Sequence, residues 1–170
     1  MLLEDANNQD YAAEYLRLKA VNDQFRERGK QWLWSTLETL RAELNSQLQT
    51  KLDGHLLQIG RQEWQFTIPT SIGEATMVGE RFGVRYRGQT LVVEVGWPQQ
   101  PEHGFVPDSG LARGRVRFSP NVMLEPLTRA ELVLKRSGAD VVWYMLNYKK
   151  LSEPVTAAHL RVYLDLLLKD

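Results

Sequence analysis

The sequence contains no cysteine. That absence excludes disulfides, thiol nucleophiles and every cysteine-ligated zinc or iron–sulfur site. It fits a reducing compartment. An excess of either charge is missing too, because Lys+Arg and Asp+Glu both count 21. No global field recruits nucleic acid or an anionic membrane, and one defence against self-association is absent. Long apolar runs are also lacking. None approaches the roughly 20 residues of a spanning helix, and the longest surrounds Leu166–Leu168. Met1-Leu2-Leu3-Glu4-Asp5 carries no basic stretch ahead of an apolar one, so no signal peptide is expected. These features together predict a cytoplasmic chain without membrane association.

What is present is ordinary for a folded domain. The 170 residues are 43% hydrophobic and 25% charged, enough for a core without staples. The expected class is α+β. It comprises a long N-terminal helix or helical hairpin, an antiparallel sheet of about six strands, and a C-terminal helix packed on that sheet. Residues 1–54 are expected to form the helical arm and 55–170 the sheet and last helix, within one structural domain.

Proline is missing from the first third of the chain, which supports the arm. Asp10 is a candidate N-cap. Tyr11, Tyr15, Leu18, Val21 and Phe25 follow at helical spacing. Beyond Gly29 the stripe resumes as Leu33, Leu37, Leu40, Leu44, Leu48 and Leu52. Lys51 and Gly54 suit a helix C-terminus. A single helix from Asp10 to Asp53 would run about 65 Å, against a radius of gyration of about 15 Å for a domain of this size. Either the helix breaks at Gly29 into a hairpin, or it protrudes and its leucines meet another chain. The interface is expected at Leu33, Leu37, Leu40, Leu44 and Leu48.

From His55 the period becomes two. His55–Gly60 and Glu63–Pro69 read as strands joined by a turn at Gly60-Arg61-Gln62. Phe82, Val84 and Tyr86 alternate with arginines up to an Arg87-Gly88-Gln89 turn, and Leu91–Val95 returns. Gly96–Gly114 is a proline- and glycine-rich loop, and Arg115–Phe118 a short strand. Pro126–Arg136 carries a capping-box pattern but alternates, and strand is favoured, paired with Val141–Tyr148. Thr156 is the expected N-cap of the last helix, with Leu160, Tyr163, Leu164 and Leu167 on one face.

No catalytic, metal or cofactor motif emerges, and no cofactor is expected. The histidines at 55, 103 and 159 are scattered. His55 and His159 read as helix-end residues. His103, Asp108 and Ser109 share the long loop, but no Gly-x-Ser-x-Gly elbow supports a triad. A nuclease pattern of Asp108, Glu131 and Lys135 fails on spacing. The non-random feature is arginine on strands. Arg81, Arg85, Arg87, Arg113, Arg115 and Arg117 would share one sheet face if their strands are neighbours. Such a face matches phosphate and carboxylate geometry, with His103 and Asp108 as further candidates. Glu80, Glu94 and Glu131 could neutralise it. The expected function is a non-enzymatic interaction module that self-associates through its N-terminal helix, as a homodimer or with another protein partner. The alternatives are an anionic small-ligand or nucleic-acid binder on the arginine face, and a small hydrolase using the 96–114 loop.

Overall fold

The computed structural model describes residues 2–49, 55–70, 73–98, 110–147 and 150–169. The first element, α1 (Leu2–Leu48), is one unbroken helix of 47 residues, about 70 Å long at 1.5 Å per residue. The hairpin alternative is therefore not adopted, and Asp10 lies inside the helix rather than capping it. Lys51 and Gly54 fall outside the described residues.

Gly29 does not break the helix; it brings the helix close to the sheet. A Cβ at this position would lie 2.5 Å from Leu134 Cδ2. Glycine is the residue that allows backbone and side chain to meet this closely.

Seven strands follow in a simple meander: β1 (Gln58–Thr70), β2 (Gly73–Tyr86), β3 (Gln89–Pro98), β4 (Ala112–Ser119), β5 (Leu127–Ser137), β6 (Asp140–Asn147) and β7 (Lys150–Pro154). Their spatial order is their sequence order, and all pairs are antiparallel. The sheet thus has one strand more than expected. Residues Gly60 to Gln62 make no turn; they continue β1 and pair in order with Gly83, Phe82 and Arg81 of β2. The β2–β3 hairpin forms as read, with Arg87 at φ 49° and Gly88 at φ 80° in its tight turn. The strand reading of the 126–136 segment holds, with β5 running from Leu127 to Ser137.

Alternation sends one set of side chains toward α1. Phe82, Val84, Leu91, Val93, Val95, Val116, Leu132, Leu134 and Trp143 are buried there together with Phe25, Leu33, Leu37, Leu40, Leu44 and Leu48. Trp34 packs its ring 5.3 Å from Phe82, whereas Trp32 remains 40% exposed. Asn45 closes the far end: its amide donates to the Leu57 carbonyl at 3.0 Å and its oxygen accepts from the Leu57 amide at 2.8 Å.

The last helix, α2 (Ala157–Asp165), starts at Thr156 as expected. The Thr156 hydroxyl accepts from the His159 amide, and the Thr156 amide donates to His159 Nδ1 at 3.0 Å. This reciprocal cap accounts for His159. Leu160, Leu164 and Leu167 carry the helix and the closing turn onto the core.

Candidate functional site

The arginine face exists, but its members have different environments. Register places Gln62, Arg81, Glu94, Arg115 and Glu131 in one rung across β1 to β5. The strands bearing the arginines are not neighbours: β3 runs between them and inserts Glu94. That carboxylate is 1% exposed. One of its oxygens is held by Arg115 Nε and the other lies 3.6 Å from Arg117. Arg117 also donates to the Pro126 carbonyl at 2.6 Å and lies 3.8 Å from Glu125. Arg113 is 7% exposed and meets Glu131 at 3.2 Å. Burial pushes the Arg113 guanidinium below its ordinary value, and Glu131 beside it acts the other way. Arg115 further stacks over the ring of Phe66, 4.6 Å from its centroid. Phe66 belongs to a small second core with Ile68, Ala75, Met77 and Trp64 on this face.

Arg113, Arg115 and Arg117 are therefore neutralised where they stand, as structural ion pairs. Arg87 leaves the face, because it occupies the β2–β3 turn over the Tyr86 ring. Arg81 and Arg85 remain. Arg81 lies over the Trp64 ring at 4.6 Å, and among the described residues neither it nor Arg85 has a carboxylate within ion-pair reach. Both border a depression of about 370 Å³. His103 and Asp108 lie outside the described residues, as do Ser109 and most of the loop assigned to a hydrolase.

The five leucines expected between chains are occupied elsewhere. Leu33, Leu37, Leu40, Leu44 and Leu48 are at most 7% exposed and belong to the chain's own core. The correction follows from the sheet, which covers the C-terminal half of α1. The N-terminal half extends beyond the sheet. Tyr11 is 72%, Tyr15 48%, Leu16 62% and Leu18 49% exposed. Tyr11, Tyr15 and Leu18 stand at i, i+4 and i+7, on the same helix face as Phe25. Ion pairs brace the exit point: Asp23 takes Lys19 at 2.7 Å and Arg26 at 2.8 Å, and Arg26 Nε donates to the Leu111 carbonyl at 2.7 Å. Burial alone would raise the Asp23 carboxyl, but the hydrogen bonds from Lys19 and Arg26 outweigh it and hold the group below its ordinary value.

Two other apolar surfaces were not signalled by sequence pattern. Val122, Met123 and Leu124 between β4 and β5, and Leu127 at the start of β5, are exposed. Their loop is held by the Val122 amide on the Gly88 carbonyl and by the Met123 amide on Asn121 Oδ1. A groove of about 530 Å³ lies between α1 and β6, beside Trp32 and Val141. Among the described residues, no group of three or more His, Asp or Glu could hold a metal ion. No described helix is long and apolar enough to cross a membrane. Compared with known protein families, curated proteins and solved structures, the chain matches none of them.

Proposed function

We propose that the protein is a non-enzymatic interaction module whose projecting α1 segment pairs with the same segment of a second copy. One observation carries the reading. A single apolar helix face is buried from Phe25 to Leu48 and bare from Tyr11 to Leu18. Tyr11, Tyr15, Leu18 and Phe25, together with Asn8 and Asn22, keep the alternating three- and four-residue spacing of a coiled-coil seam. Water is a poor neighbour for such a seam, and an identical arm is its simplest complement. The balance of 21 against 21 charges leaves no net repulsion between copies.

The arrangement that fits is antiparallel. From Phe25 onward the seam face is occupied by the chain's own sheet. A parallel partner would carry its helix and sheet into that space. Antiparallel arms overlap only along their bare halves and keep the two sheets at opposite ends.

Sedimentation over a concentration series tests the proposal. The intact chain is expected to dimerise, and Leu18→Glu or Tyr15→Glu to stay folded but monomeric, with a thermal midpoint that no longer depends on concentration. A monomeric intact chain throughout, or a dimer indifferent to both substitutions, would refute the assignment.

A further inference from the structure

The depression on the sheet face away from α1 is built from three consecutive cross-strand pairs of β1 and β2. These are Gln58 with Arg85, Gly60 with Gly83, and Gln62 with Arg81. Alternate residues share a face, so each end of the depression presents one arginine and one glutamine. Its floor is two paired glycines. Thr90, in register with Arg85, lines the same end.

Neither glycine is explained by the fold. Both lie within long strands, where glycine is disfavoured. Neither has a positive φ. Among the described residues, a Cβ on either would meet nothing within 4 Å, unlike Gly29, whose Cβ would strike Leu134. Backbone conformation and packing are thus both removed as reasons for glycine here. Close approach of another molecule to the strand backbone is a physical reason for glycine that fits this open space.

The arginines are free to receive it. Glu94, the residue in register with Arg81, has its oxygens on Arg115 and Arg117. Trp64 supports the flat face of the Arg81 guanidinium, which leaves its N–H edge for in-plane hydrogen bonds. Among the described residues, no Asp or Glu lines the depression.

We infer that this depression binds a short linear dianion, with one oxyanion at each Arg/Gln end and its linker lying over Gly60 and Gly83. The Cα atoms of Arg81 and Arg85 are about 13 Å apart along the strand, and side chains reaching inward shorten the span to that of a small molecule. Carboxylate and phosphoryl groups share the required chemistry.

Calorimetric titration of the full chain with glutarate, with pyrophosphate and with acetate tests this. At least one dianion is expected to bind saturably and roughly tenfold or more tighter than acetate; the tighter of the two identifies the group as carboxylate or phosphoryl. Arg85→Ala is expected to weaken binding by roughly tenfold or more. Gly83→Val fills open space on a strand, so it is expected to abolish binding while leaving the thermal midpoint equal or higher. Should that variant fail to fold, Gly60→Ala serves the same purpose from the facing strand. No binding of either dianion at about 10 mM, acetate binding as tightly as the dianions, or undiminished binding in the glycine variant would each overturn the inference.

Discussion

Trp143 donates its indole Nε1–H to the Gly29 carbonyl, 2.9 Å away and buried. The sheet therefore grips the helix at its single glycine, midway between the covered half of α1 and the bare half. Leu134 fills the space a side chain would need, with two methyl carbons within 2.6 Å of a Cβ at position 29. Gly29→Ala sets two effects against each other. Alanine gains about 1 kcal/mol of helix propensity, while overpacking a fully buried site costs about 1–3 kcal/mol. Leu134 has 0% exposure, and displacing its packed side chain is expected to give a net loss of about 1–2 kcal/mol. Urea midpoints measure it, and adding Leu134→Ala should cost less than the sum of the single changes.

The buried Glu94 provides a second expectation. Among the described residues it is the only carboxylate in contact with Arg115, and it is 1% exposed. Glu94→Ala leaves two part-buried guanidiniums without it, and breaking a buried pair from one side costs about 3–5 kcal/mol. Arg117 keeps Glu125 and the Pro126 carbonyl, so Arg115 suffers most. Chemical denaturation should show a loss toward the lower end of that range, and an unchanged midpoint would refute the role given to the rung.

Local signals in the sequence were informative. The Phe82–Tyr86 alternation, the Arg87-Gly88 turn and the Thr156 cap each involve residues within a few positions of one another, and each forms as read. Glycine was misleading where its reason lies far along the chain. Gly29 leaves a break and an unbroken helix both open in the sequence, because Leu134, its cause, is distant along the chain. Gly60 reads as a turn because its partner is Gly83. The leucine stripe was legible, but which half the sheet would cover was not, since that depends on seven strands adding up. The arginines were visible as a face. Their division into paired and unpaired depended on β3 and Glu94 lying between β2 and β4.

The arm's root should respond to acid in a defined direction. Asp23 has its carboxyl held below the ordinary 3.8. A depressed carboxylate contributes stability above its unfolded value and loses it as pH falls through the folded value. The side chain is 37% exposed, so the contribution is below about 1 kcal/mol. Urea titrations of wild type and Asp23→Asn should differ at neutral pH and converge in acid, once the folded-state carboxyl is protonated. A difference that persists in acid would contradict the assignment.

Arm orientation can be read from one distance. The chain has no cysteine, so Asn8→Cys accepts a single nitroxide label. In antiparallel arms centred near Tyr15, the two labels sit about 20 Å apart along the axis. Parallel arms would bring them to about 10 Å. A pulsed electron–electron distance near the longer value is expected.

The central claim is that the bare half of α1 meets a second copy of itself. Native mass spectrometry of the intact chain beside Leu18→Glu tests it most directly. Twice the chain mass for the former and a single chain mass for the latter is the expected pair of results. A single chain mass for both would contradict the account, because the Tyr11–Tyr15–Leu18 face would then stand in water with nothing to cover it.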